Sequence, residues 1–164
     1  MAVPGATTPT YDLSADDVGS VIAVECTPTN AEGVLGSVET VTLAEGKRLL
    51  PLPEQDQWLR RMVTDGKATL GATNAANKRE EGSLVLEPRK VSFRSKRNKA
   101  LWKSVPLECS VVCSIASANQ LTLSNAKGSV TLVLADSAAR DLAVLAIRQL
   151  ASAQRSRAGK SARR

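Results

Sequence analysis

Apolar and polar positions alternate at period two through three short runs late in the chain. In LECSVVCSI the residues Leu107, Cys109, Val111, Cys113 and Ile115 fall on one face. QLTLS repeats the pattern with Leu121 and Leu123, and SVTLVL repeats it with Val130, Leu132 and Leu134. The turn-forming stretches ASAN and SNAKG separate these runs, which predicts an antiparallel meander. The period changes at Asp136. DSAARDLAVLAIRQLASA sets Leu142, Leu145, Ala146 and Gln149, with Leu150 alongside, on one helical face. Asp136 or Ser137 is placed to cap the first free N–H groups. A sheet with one bare apolar face needs a cover, and this helix is the expected one.

Earlier in the chain, Val21–Cys26 reads as a strand that is apolar except for Glu25, Asn30–Gly33 as a turn, and VLGSVETVTL as a second strand. Gly33 and Gly36 read as turn glycines. Pro51 and Pro53 end the strand, and Pro53 can occupy the first turn of a helix. That helix carries the i,i+4 pairs Trp58/Met62 and Leu59/Val63, with Gly66 as its stop. Lys67–Thr73 is a short strand and NAANKREEG a polar loop. SLVLEPRKVSF is a hairpin with Leu84/Leu86 and Val91/Phe93 apolar and Pro88 at the first central turn position. RSKRNK makes a further turn before the strand ALWKSV.

The expected organisation is therefore a disordered lead over residues 1–10, a two-stranded unit over 11–50, and a linker with a short helix over 51–66. A mostly β unit follows over 67–154, with six or seven antiparallel strands capped by one C-terminal helix, then a disordered basic tail over 155–164. Two strands alone are marginal in water, so the first hairpin must belong to something larger.

Composition changes this picture in three ways. Tyr11, Trp58, Phe93 and Trp102 are the whole aromatic complement, so the core must be built from Val, Leu, Ile and Ala. The three cysteines sit within apolar strand patterns and read as buried reduced thiols. No run approaches the roughly 18–20 apolar residues of a membrane span, and MAVPGATTPTYD lacks the basic start and apolar centre of a secretory signal, which predicts a cytoplasmic protein.

Charge is unevenly placed. Up to Gly66 there are four basic and ten acidic residues, and from Lys67 onward eighteen basic and six acidic. An acidic first part beside a basic second part predicts two units with different surfaces.

Catalysis is not expected. There is no histidine, so Ser-His and Cys-His nucleophile arrangements are absent. Cys109 and Cys113 have same-face spacing but lack a second ligand pair for zinc. Asp16 and Asp17 occupy a corner where capping is the simpler role, and Gly33 and Gly36 have no phosphate-loop lysine. Neither a metal nor a cofactor is expected.

The basic residues concentrate in two places. One comprises Lys78, Arg79, Arg89, Lys90, Arg94, Lys96, Arg97, Lys99 and Lys103, against three acidic residues in the same window. The other is the tail, with Arg155, Arg157, Lys160, Arg163 and Arg164. Loops joining consecutive strands can gather at one end of a sheet and hold phosphates, an acidic polymer surface or an acidic lipid face. The competing reading is that these loops only keep a small β domain soluble. Nucleic acid is disfavoured, because single-strand binders lay aromatics on the basic surface and only Phe93 and Trp102 are available.

YDLSADDVGSVIAVECTP resembles the segment around the penultimate strand of the immunoglobulin-like repeats in the auxin-induced-in-root-cultures type of microtubule-associated proteins, found in plants and kinetoplastids. Tyr11, Leu13, Asp16, Asp17, Val18, Gly19, Ile22, Val24, Thr27 and Pro28 carry the likeness. Asp17-Val18-Gly19 fits the Asp-x-Gly corner that turns such a chain into that strand, while Val21 stands where an aromatic is usual. The later strands and terminal helix have the element order of a pleckstrin-homology-like (PH-like) domain. A similar fusion of an immunoglobulin-like unit to such a domain occurs in a plant stomatal actin-binding protein. Residues 11–50 offer only two immunoglobulin-like strands, so the expectation is either that the front of that domain is cut away or that the hairpin packs on the second unit. Lys67, Lys78 and Arg79 lie near the phosphoinositide signature, but its basic-x-Arg pair does not follow.

The resemblance implies a non-enzymatic interaction module of a cytoskeleton-associated protein in the cytoplasm, with microtubules or another cytoskeletal protein as partner. The alternatives are a peripheral domain that binds acidic lipid such as phosphoinositide, and a structural or homodimer-forming role through pairing of the Val21–Cys26 strand.

Overall fold

The computed structural model describes residues 10–161, with side chains as far as Arg157. Asp17–Leu52 forms one compact unit. Among the described residues, Thr10–Asp16 groups with the chain from Pro53 onward in the other.

In the smaller unit, β1 (Ala23–Cys26) pairs antiparallel with β2 (Glu39–Thr42), with Val24 opposite Val41. Gly19 takes φ +88° in the Asp17-Val18-Gly19 corner, and its N–H donates to Leu49 O at 2.8 Å. Gly33 (φ +81°) closes the turn that Asn30 caps, where Asn30 Oδ1 accepts the Val34 N–H at 2.9 Å. Strand register puts Val24 and Val41 on one face, yet they are 55% and 68% exposed. Cys26 is exposed as well, which corrects the expectation that all three thiols are buried. It sits on a two-stranded ribbon that has no second layer of its own.

The larger unit opens with α1 (Pro53–Asp65). Pro53 starts it, and Gly66 ends it at φ +68° with its N–H on Met62 O. Leu59 and Met62 are buried, one from each expected pair, while Val63 is exposed. There follow β3 (Ala68–Asn74), β4 (Glu81–Glu87), β5 (Lys90–Ser95), β6 (Ala100–Ser104), β7 (Ser110–Cys113), β8 (Gln120–Asn125) and β9 (Gly128–Val133). They form one seven-stranded antiparallel sheet in the order β6-β5-β4-β3-β9-β8-β7. The chain then enters α2 (Ser137–Ser161). Asp136 caps it, its Oδ1 accepting the Ala139 N–H at 2.7 Å. This is the expected mostly β architecture: an antiparallel sheet with one terminal helix, preceded by a short helix and a two-stranded hairpin.

The core lies where period-two residues of the strands meet α2. Leu84, Leu86, Val91, Phe93, Leu121, Leu123 and Leu132 are fully buried, each worth about 1.5–3 kcal/mol relative to exposure. On α2 the run Ala143–Ile147 is buried without a break, more than one face of a helix can bury against one sheet. The extra cover comes from α1, from the 3₁₀ turn Pro106–Glu108 and from the segment ending at Asp16.

Two sequence expectations are corrected here. Leu107 and Ile115 are exposed, and only Val111 and Cys113 of that run face inward. The strand is four residues long, so the alternation stops when the chain turns at both ends. The tail is not disordered from residue 155, because α2 continues to Ser161. Once nucleated, a helix extends residue by residue without needing an apolar face. The lead over residues 1–10 lies outside the described residues except for Thr10.

Candidate functional site

An up-and-down meander sends alternate loops to opposite ends. The β3–β4 loop and the β5–β6 turn therefore share one end, which gathers Lys78 and Arg79 with Lys96, Arg97 and Lys99. The β4–β5 turn, with Arg89 and Lys90, lies at the other end. Lys103 sits within β6 opposite Ser92. The nine expected residues are thus not one cluster but five grouped cations, Arg94 beside them, and three placed elsewhere.

Side-chain to backbone bonds shape the loop end. Asn74 Oδ1 accepts the Ala76 N–H at 3.0 Å, its Nδ2 donates to Glu80 Oε2 at 2.7 Å, and Asn77 Oδ1 accepts the Arg79 N–H at 3.2 Å. These Asx turns hold a polar loop in one conformation and present Lys78 and Arg79 to solvent. In the β5–β6 turn, Ser95 N–H donates to Lys99 O at 2.9 Å and Asn98 takes φ +60°, which asparagine tolerates. The Lys96 N–H donates to Glu81 O at 3.2 Å, fixing the two loops side by side.

Gly82 makes that closeness possible. A Cβ there would lie 1.9 Å from Arg94 O, so only glycine lets β4 approach β5 at this point. Lys96 pairs with Glu81, and its ammonium holds the Glu81 carboxyl below its usual 4.5 through a hydrogen bond and charge attraction. Lys78, Arg79, Arg97 and Lys99 make no ion pair among the described residues. Next to them, a shallow pocket of about 270 Å³ on the sheet is lined by residues in or next to β3, β4 and β5, among them Lys67, Thr69, Ser83, Arg94, Ser95 and Lys96. Arg94 is steered into it, its Nη1 donating to Asn98 Oδ1 at 3.0 Å and its Nε to Ser92 Oγ at 3.3 Å. The arrangement sets cations unpaired among the described residues beside a pocket lined by hydroxyls.

The opposite end is closed by α2. Gln154 donates from Nε2 to Pro88 O at 2.9 Å and accepts the Leu107 N–H at 3.0 Å, tying the helix to the β4–β5 turn. Arg155 and Arg157 follow on the same helix. The Lys160 side chain and residues Arg163 and Arg164 lie outside what the structure describes. The sequence reading missed Gln154, Gly82 and the hydroxyls of the pocket, and it treated the loops as one set. Alternation of loops in a meander was the available signal for dividing them.

Cys109, just before β7, and Cys113, its last residue, both ionise less readily than an ordinary thiol. Burial raises Cys109 to about 11. Burial and then the nearby Asp16 charge raise Cys113 to about 11. None of the described helices is long and apolar enough to cross a membrane.

Comparison with known proteins adds to this geometry. A family model described as the AIR9 A9 domain, an immunoglobulin-like domain, matches residues 1–43. No curated protein matches the chain. The PH domain of human oxysterol binding protein-related protein 11 is similar over 52% of this chain and 79% of its own, at 13% identity and a TM-score of 0.44. Inner membrane complex sub-compartment protein 3 of Toxoplasma gondii is similar over 63% of this chain and 88% of its own, at 10% identity and a TM-score of 0.44. The chain is thus similar over residues 1–43 to an immunoglobulin-like domain.

Proposed function

We propose that this chain is a non-enzymatic interaction module of a cytoskeleton-associated protein, and that its loop end binds an acidic partner. The observation behind this reading is the pair of preformed loops that set Lys78, Arg79, Lys96, Arg97 and Lys99 together with one carboxylate partner among them. Such a group creates a local positive field that an acidic polymer surface answers, with an attraction that falls within about a Debye length, ~8 Å at physiological salt. The likeness of residues 11–28 to repeats of microtubule-associated proteins makes microtubules the first partner to try. Cytoplasmic cytoskeleton is the matching location. Co-sedimentation of the chain with microtubules and with actin filaments, in rising salt, tests this: pelleting at low salt that fades as salt rises is expected. No pelleting with either polymer at low salt would overturn it.

A second reading is favoured by the pocket beside the loops, where Lys67, Arg94 and Lys96 meet the hydroxyls of Thr69, Ser83 and Ser95. Cations with hydroxyl donors suit a phosphate monoester such as an inositol lipid headgroup. Binding to liposomes that rises with phosphoinositide content would favour it, and equal binding to neutral vesicles would remove it.

A further inference from the structure

The two edges of the sheet are covered differently. At the β6 edge the β8–β9 turn folds across: Trp102 Nε1–H donates to Gly128 O at 3.4 Å, and Asn125 Nδ2 donates to Lys103 O at 3.0 Å. At the β7 edge the Cys113 N–H is covered, donating to Asp16 Oδ2 at 3.0 Å. That bond shows which way the ladder faces. Cys113 points its N–H away from β8, so Val111, two residues earlier, turns its N–H and C=O to the same open side. β7 has no lysine or proline to discourage another strand. Val112, on the outer face, is 54% exposed, and Ile115 just beyond is 80% exposed.

A groove of about 280 Å³ runs beside this edge, lined by Cys109, Val111, Ile147, Arg148, Ala151 and Arg155. Its floor is apolar and two guanidinium groups stand along it. Both neighbouring thiols, raised by burial to about 11, are protonated at neutral pH as ordinary thiols are, so they add no negative charge. Arg148 and Arg155 are two helical turns apart, ~10.5 Å along the axis, so Arg155 stands well clear of the Asp16 carboxylate held by Arg148. The chain itself shows what this edge accepts. The Asp16 carboxylate lies on the Arg148 guanidinium while taking the β7 N–H, and Arg148 Nη1 also donates to Ala15 O at 2.6 Å. Arg155 makes no ion pair among the described residues.

We propose that the open edge of β7 and the α2 groove beside it dock an extended acidic peptide, which adds to β7 as a strand and sets a carboxylate on Arg155. Main-chain bonds to Val111 supply binding, and the apolar floor with Arg155 supplies selection. This site lies apart from the basic loop end.

The test uses the full ¹⁵N-labelled chain, titrated with the peptide DTDTDTDTD and, separately, with KTKTKTKTK, followed by amide shifts and by anisotropy of labelled peptide. The acidic peptide is expected to move the Val111 amide and the amides around Ala151 and Arg155. Arg155→Glu weakens that binding at least tenfold, while Lys78→Glu with Arg79→Glu leaves those shifts in place. Shifts confined to residues 75–80 and 96–99, or equal binding of the lysine peptide, would overturn the proposal. So would β7 amide shifts that change on diluting the chain alone, since the occupant would then be a second copy.

Discussion

The loop end and the helix end of the sheet look alike in sequence, since each is a turn between strands that carries basic residues. In the fold they serve different ends. At the helix end, Gln154 binds both the β4–β5 turn and the backbone of Leu107, so Arg89 and Lys90 border a junction that closes the core. At the loop end, hydrogen bonds run within and between two loops and leave the side chains of Lys78, Arg79, Arg97 and Lys99 facing solvent. A count of basic residues is therefore a poor guide to a binding surface. What matters is which loops the topology places together, and whether their backbone is held independently of the charges.

The largest break in this comparison should come from Phe93→Ala. Phe93 is fully buried in the strand that runs from one end to the other, so its loss should cost about 3–5 kcal/mol and loosen both ends in thermal or denaturant unfolding. Gly82→Ala acts at the loop end alone. The new methyl meets Arg94 O, so a cost of about 1–3 kcal/mol is expected, with amide shifts centred on residues 79–99. Gln154→Leu acts at the helix end, where losing two hydrogen bonds should cost about 1–2 kcal/mol and leave acidic-partner binding unchanged. Equal effects of these last two on binding would erase the distinction between the ends.

The smallest effect concerns the thiols. Iodoacetamide at pH 8 should alkylate exposed Cys26 first, with Cys109 and Cys113 lagging, as read by mass spectrometry of peptides. Their folded values lie above the usual 9.0 because burial disfavours the thiolate. Their contribution to stability is therefore complete below pH 9 and is lost as pH rises toward 11. Unfolding midpoints that rise across this window would contradict the sign.

Much of the fold was legible because its signals are local. Period-two runs set β8 and β9, the change of period at Asp136 marked α2, and Pro53 and Gly66 bounded α1. The failures share a cause. Leu107 and Ile115 keep the alternating pattern beyond either end of the strand, and α2 runs past residue 154 because helix propagation needs no apolar partner. The candidate site was legible as a set of residues but not as a place. Lys78 and Lys96 meet because β3, β4 and β5 form consecutive hairpins, whereas Asp16 meets Arg148 across a sequence separation of 132 that no local pattern encodes.

The most direct measurement is microtubule co-sedimentation of two charge-reversed chains beside the unmodified one at low salt. One carries Lys78→Glu, Arg79→Glu, Arg97→Glu and Lys99→Glu, and the other carries Arg89→Glu and Lys90→Glu. A loss of at least tenfold in affinity for the first, with less than a twofold change for the second, is the predicted result. Equal losses in both chains, or retention of binding by the first, would contradict the assignment of the loop end as the binding surface.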